Sequence, residues 1–380
     1  MQEVEGWWTA AFWGAVGCCA GVAAGLGQGR QAGWKAGLAE GKAAKVLELQ
    51  RSARLSGRCP ICAPAKGATA VTGQARSACG GSFSRGLTMV KMHGLGNSYV
   101  FIDRLADEEE AGGPSPGGEP ADWGRLARAV ARPDTGIGSD GLILIEPGRQ
   151  APVAMRIFNA DGSEGEMCGN GIRCLAMYVY ELGRVPRAFE VETRAGLRRV
   201  EVLQEPERGC ATVRVDMGRP HEVGPGGVAL GQALSVEAAG VPWEVWPVSV
   251  GNPHGVLFVP DVRQAPVREL GPILEHHEAF PGRINVEFCE VLSSERLRMR
   301  VWERGSGETR ACGTGACAAL VAASISGRAG RRAVVELPGG LLEVEWADDG
   351  HIWMTGPAQR VASGYLEEGW VRAALEGDEP

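Results

Sequence analysis

Positive charge is scarce in this chain. Its 380 residues carry 39 Lys and Arg against 46 Asp and Glu, a formal charge of -7, with a pI near 5.6. No stripe of Lys and Arg with interleaved aromatics appears, and aromatics make up only 6% of the residues. Nucleic-acid binding draws much of its affinity from neutralising phosphates, so the composition argues against that class of partner. Cysteine is present but not dense. Eleven in a chain of this length do not make the regular framework of a small secreted domain, and the odd number leaves at least one thiol free, which points to a reducing compartment. Cys59-Pro60-Ile61-Cys62 is half of a zinc pattern, but no second such pair and no paired His follows it.

What remains is the composition of a globular protein: 44% hydrophobic, 22% charged, and 57 Gly that imply many turns and close backbone approaches. The length suggests about two domains. Residues 1–88 differ from the rest. Between Glu5 and Arg30 there is no charge, and Trp7, Trp8 and Trp13 lead into an Ala/Gly-rich run ending near Leu26, followed by Arg30, Lys35, Lys42 and Lys45. Three readings stay open: a membrane anchor with a positive cytoplasmic flank, an organellar (plastid) targeting segment, or an extension ahead of the true start at Met89-Val90-Lys91-Met92. Membrane contact is expected only if residues 7–26 are a real anchor.

From Met89 onward, short β-rich runs (Tyr99 to Ile102, Leu142 to Ile145, Met155 to Phe158) are bounded by Gly, Asn and Asp. Glu108 to Pro120 is an acidic, Gly/Pro-rich surface loop. The runs Gly171 to Tyr180 and Gly315 to Ile325 are apolar nearly all the way round, which places such helices inside a core. Each follows the same signature, Cys-Gly-x-Gly, at Cys168 and at Cys312. The interval is far longer than the roughly 20–50 residues of a solenoid repeat. Two similar domains, each with a buried helix wrapped by strands, are expected.

A cysteine at a helix start faces unpaired N–H groups and the positive end of the helix dipole, which stabilise an anion and lower a thiol's pKa. By the same logic Gly169 and Asn170 offer one side of a carboxylate site, and Gly313 and Thr314 the other. A single such cysteine reads first as a small buried apolar residue. Two in matching contexts suit removal of an α-proton on one face of a carbon and delivery of a proton to the other, with thiolate and thiol exchanging roles. Asn159 precedes the first cysteine; Glu303 and Arg304 precede the second; Asn252, His254 and Asn285 lie between. Asn both donates and accepts, so a set of them suits a zwitterionic amino acid, and Arg304 can fork onto a carboxylate. Taken singly, each has a plainer reading: Asn as a turn residue, His254 capping a turn, Glu303 and Arg304 as a solvated pair.

These residues resemble the diaminopimelate epimerase family over nearly all of residues 89–370. The matching segments are Lys91 to Asn97, Phe158 to Gly162, Met167 to Cys174, Gly251 to His254, Arg283 to Val286, and Glu303 to Thr309 leading into Ala311 to Gly315. The resemblance implies two pseudo-symmetric α/β domains, each a β-barrel-like layer around a central helix, with the active site in the cleft between them. The expected division is residues 89–211, joined by 355–370, and residues 212–354. It further implies interconversion of LL- and meso-diaminopimelate without cofactor or metal, in lysine and peptidoglycan biosynthesis, by a cytoplasmic homodimer. Cys168 and Cys312 would be base and acid, and His254 and Glu303 would tune the reacting centre. Asn97, Asn159, Asn252, Asn285 and Arg304 would read the distal amino-acid end. Two positions depart from the family pattern: Gly141 where many members have Gln, leaving one distal contact to backbone, Asp140 or water, and Ser98 where Asp is common. The alternatives are a racemase of another amino acid in the same superfamily, against which Asn170, Glu303 and Arg304 speak, and a protein that uses the two thiols as a redox switch.

Overall fold

A computed structural model describes residues 87–105, 122–223 and 228–376. The readings for residues 1–86, including Cys59 and Cys62, and for the Glu108 to Pro120 loop lie outside the described residues. Among the described residues no helix is long and apolar enough to cross a membrane.

The first half contains β1 (Leu87–Gly94), β2 (Asn97–Asp103), α1 (Trp123–Ala131), β3 (Gly141–Pro147), β4 (Val153–Asn159), β5 (Glu164–Gly165), α2 (Gly169–Glu181), β6 (Ala188–Thr193), β7 (Gly196–Val202) and β8 (Cys210–Asp216). The second contains β9 (Leu234–Ala238), β10 (Val241–Ser249), β11 (Pro253–Phe258), α3 (Val267–Glu275), β12 (Asn285–Ser293), β13 (Arg296–Glu303), β14 (Gly307–Thr309), α4 (Gly313–Ile325), β15 (Arg332–Leu337) and β16 (Gly340–Trp346). The long β17 (Ile352–Leu366) and α5 (Glu368–Glu376) end the described chain. The first strand starts two residues before Met89, with Leu87 opposite Leu366.

Pairing closes the first half into a ring: β1, β2, β3, β4, β6, β7, β8, β17 and back to β1. The second half repeats the order through β10, β11, β12, β13, β15, β16 and β17. It closes through residues 217–221, which bond Ile352 at one end and Ser249 at the other. The sense of each pairing repeats as well. The β2–β3 and β4–β6 pairs are parallel, as are β11–β12 and β13–β15, and the pairs between them are antiparallel in both halves. The doubled Cys-Gly-x-Gly signature thus belongs to a doubled barrel, as expected, and β8 and β17 run across the 211/212 and 354/355 divisions so that both rings share β17.

Alternation along the strands separates three apolar layers. Phe101, Ile143 and Ile145 point inward with the residues of α2, and Cys289 inward with α4, into one continuous core. Val100, Ile102, Leu142 and Leu144 point outward under α1. Val286 and Phe288 point outward under α3. A strand covered on both faces reads as an unbroken apolar run, which is why Leu142 to Ile145 has no polar positions. The second central helix is buried because its apolar and small residues need no water: from Gly315 to Ala323 every residue of α4 is buried.

Candidate active site

Both signature cysteines are helix N-caps. Cys168 (φ -134, ψ 118) and Cys312 (φ -120, ψ 111) have extended backbone, and each thiol accepts the N–H of the third helical residue. Gly171 N–H reaches Cys168 Sγ at 3.4 Å, and Gly315 N–H reaches Cys312 Sγ at 3.3 Å. The sulfur takes the place that Ser or Asp usually fills at such a start. The two helices begin against each other. A Cβ on Gly313 would lie 3.8 Å from Gly169 Cα, and Met354 of β17 packs on both glycines, 3.0 Å from a Cβ on Gly313 and 2.8 Å from one on Gly169. Asn170 Nδ2 crosses the seam to donate to Ala311 O at 3.4 Å. The shared strand thus brings together two motifs far apart in the chain.

The surroundings of the two thiols differ. Cys168 is partly exposed and its Sγ lies 3.5 Å from Asn97 Oδ1. Asn97 in turn accepts from Asn170 at 3.1 Å and donates to Asp140 at 3.0 Å, and Asp140 also takes the Ser98 N–H at 2.6 Å. Cys312 is buried beside two carboxylates and an imidazole. His254 and Glu287 are fully buried, with Nδ1 to Oε1 at 2.7 Å, and His254 Nε2 meets Asn252 Oδ1 at 3.0 Å. The donor atoms of His254, Glu287 and Cys312 lie within 4.8 Å of one another, a set of N, O and S atoms a divalent cation could use. Glu287 Oε2 is buried without a hydrogen bond. Glu303 accepts the Thr309 hydroxyl. Thr314 Oγ1 is 3.5 Å from Cys312 Sγ.

The remaining expected residues differ in burial and in partners. Asn285 lies beside His254 in the parallel β11–β12 register, donates to Pro253 O at 2.9 Å and accepts Arg304 N–H at 2.9 Å. Arg304 is exposed, with Nη1 on Gly282 O at 3.0 Å. Asn159 is exposed at the end of β4 and donates to Ser163 Oγ at 3.0 Å. Opposite it, Gly141 has no room for the family's Gln: a Cβ there would lie 2.1 Å from Phe158 O. Asp140, one of the groups expected to replace that Gln, spends its carboxylate on Asn97 and Ser98.

One electrostatic expectation is corrected. The thiols sit at helix starts, yet both are pushed above the ordinary thiol value. For Cys168, burial outweighs the Gly171 and Asn170 N–H groups and the Tyr99 hydroxyl. For Cys312, burial acts together with the negative charges of Glu303 and Glu287, and the thiol stands well above the usual range. Glu303 is raised too, first by burial. Desolvation wins because a thiolate taken out of water loses more hydration than two or three dipoles return.

Glu287, Tyr99 and Thr309 were not singled out from sequence. Glu287 had a signal: two residues after Asn285 on one strand, it must share that residue's face. A buried carboxylate in a strand of otherwise apolar residues is itself a flag.

The diaminopimelate epimerase family model matches residues 89–223 and 247–361. A diaminopimelate epimerase of Moorella thermoacetica is 51% identical over 284 residues, spanning 72% of this chain and 97% of its own length. One from Desulforudis audaxviator is 48% identical over 296 residues, spanning 76% of this chain and all of its own (100%). Among solved structures, a hydroxyproline epimerase of Agrobacterium vitis has a TM-score of 0.53 at 17% identity, covering 75% of this chain and 94% of its own. A Bacillus anthracis phenazine biosynthesis protein of the PhzF family has 0.52 at 15%, covering 74% and 98%. At such identities these two show the fold alone. The matched family model and the near-full-length relatives, falling on the doubled barrel and its paired cysteines, establish that the chain belongs to the diaminopimelate epimerase family.

Proposed function

We propose that this chain interconverts LL- and meso-diaminopimelate, the step of lysine and peptidoglycan biosynthesis that its family membership implies, with Cys168 and Cys312 as the two proton-transfer groups. The observation that carries the reading is the pair of thiols capping two helices that begin against one side chain, Met354. An α-carbon held there has one sulfur on each face. The thiolate takes the α-proton and becomes a thiol; the opposite thiol delivers its proton and becomes the thiolate. The net change is inversion at one carbon, and the reverse reaction uses the same groups with roles exchanged. Charge that builds on the carbanion spreads into the α-carboxylate. The first-turn N–H groups of α2 (Gly169, Asn170) and α4 (Gly313, Thr314) have no partner within their helices and suit that carboxylate. Preorganised donors of this kind are worth about 10²–10³ in rate each.

His254 and Glu303 orient and tune the Cys312 side. Asn159, Asn252, Asn285 and Arg304 suit the ammonium and carboxylate of the distal end, and Asn97, beside Cys168, holds the near end as well. The family resemblance also supports a cytoplasmic homodimer, which gel filtration of the purified chain tests. The mechanism is tested by incubating reduced protein with LL-diaminopimelate in heavy water without added cofactor. Deuterium should enter at the α-carbon as meso product forms. Cys168→Ser and Cys312→Ser should each cut epimerisation by orders of magnitude, and wild-type turnover in either would sink the two-thiol assignment.

A further inference from the structure

The two-thiol reading leaves unexplained the largest fully buried side chain among the described residues, Arg173. It lies one turn into α2, behind Cys168. Nη1 donates to Gly169 O at 3.1 Å, Nη2 to Asn170 Oδ1 at 2.8 Å and Nε to Pro357 O at 3.2 Å. The slot is shaped for a guanidinium: a Cβ on Gly94 would lie 2.7 Å from Nη2, and one on Gly356 3.3 Å from Cζ. Its hydrogen bonds run to carbonyl and amide oxygens and, at 3.7 Å, to Met354 Sδ. None of them reaches a carboxylate. The groups near it that can carry negative charge are, strongest first, the thiols of Cys174, Cys168 and Cys317, and burial pushes Cys174 and Cys317 up to about 12, so those two stay protonated. A guanidinium stays charged, and a buried charge without a counter-ion is strongly unfavourable. Of those three thiols, Cys168 is the one at a helix start that faces the cleft.

Arg173 also reaches the other half. It fixes Asn170, whose Nδ2 spans Asn97 Oδ1 and Ala311 O, and Ala311 immediately precedes Cys312. The equivalent position of α4, five residues after its cysteine, is Cys317, so the cation is supplied from one side for both. The Cys312 side carries Glu303 and Glu287 instead.

We propose that Arg173 is a positioning residue: the permanent counter-charge for the anion held at the Cys168 helix start, and the fork that, through Asn170, sets the two helix starts against each other. It rests on the two-thiol reading but is tested separately, because the decisive readout needs no substrate. The rate of Cys168 alkylation by iodoacetamide is followed against pH by peptide mass spectrometry, with exposed Cys210 as internal reference. The other charged and titratable groups coupled to Cys168 are Tyr99, Cys174 and Glu303, with Asp140 behind Asn97 and Tyr99, and all are left intact. Arg173→Met, close in length and apolar, removes the charge but leaves Gly169 O, Asn170 Oδ1 and Pro357 O without their donor, so its melting temperature is recorded beside the alkylation profile to show that the variant is folded. Its Cys168 midpoint should move up by about one unit or more, Cys210 should not move, and kcat should fall on the order of 100-fold. Arg173→Gln gives the same reading should the Met variant not fold. Arg173→Lys, which keeps the charge but loses the fork, should hold the wild-type midpoint while kcat falls. A neutral variant with the wild-type Cys168 midpoint, or a Lys variant shifted as far as the neutral ones, overturns the proposal.

Discussion

At the residue scale, the proposed chemistry depends on how two thiols in unlike surroundings reach opposite protonation states. Cys168 is raised by burial but retains N–H donors from Gly171 and Asn170 and the Tyr99 hydroxyl. Cys312 is raised further, since burial is joined by the negative charges of Glu303 and Glu287. The base must be a thiolate. With its folded-state pKa above the ordinary 9.0, the thiolate fraction at neutral pH is smaller than that of a free thiol and grows as pH rises. The expected outcome is a kcat/KM for LL-diaminopimelate that climbs with pH from about 7 to 9, while Cys312 stays protonated as the acid. A flat profile from pH 6 upward would show that the buried environment does not set the active form. Glu287→Gln removes a negative charge next to Cys312 and keeps the shape. Alkylation of Cys312 should then begin at lower pH than in the wild type, because one of the charges that raises it is gone.

At the element scale, the third residue of each central helix is glycine for steric reasons. A Cβ on Gly315 would lie 2.7 Å from Glu287 Oε1 and 3.2 Å from Cys312 Sγ, and one on Gly171 2.5 Å from Ile143 Cδ1. Cys-Gly-x-Gly therefore allows the helix start to approach the strands that carry the site. Gly315→Ala is expected to leave a folded protein, since helix propensity improves by about 1 kcal/mol, but to push Glu287 and the Cys312 thiol apart. Displacements of about an ångström cost on the order of 100-fold in rate, so kcat measured beside a melting curve separates the two effects. The helices themselves were legible in the sequence, because an all-apolar segment behind a capping residue has few alternatives. Their starts were legible for the same reason. The strand-borne groups were harder: Asp140 becomes part of the site only because β2 and β3 pair in parallel, placing it beside Ser98 and Asn97.

At the scale of the whole molecule, β17 belongs to both rings, and one continuous core contains residues of α2 and of α4. The halves should therefore open together. Leu320 in α4 is fully buried, and Leu320→Ala should cost about 2–5 kcal/mol. Hydrogen exchange followed by mass spectrometry should show the core amides of α2 losing as much protection as those of α4. Loss confined to α4 would mean that the second barrel unfolds alone. The shared strand also explains why the site is a property of the assembled fold: Met354 packs on Gly169 and Gly313 at once.

By itself the sequence determined the repeat, the two buried helices, the cysteines at their starts and the class of reaction that paired thiols suit. Those features are local: a cap, a period and a glycine pattern act within a turn or two of chain. Only the tertiary structure decided the balance of charge. Burial reverses the pKa shift expected of a helix-start thiol, Glu287 joins His254 beside Cys312, and Arg173 stands alone behind Cys168. Desolvation and Coulomb interactions depend on distances between segments far apart in the chain, and no local pattern encodes them.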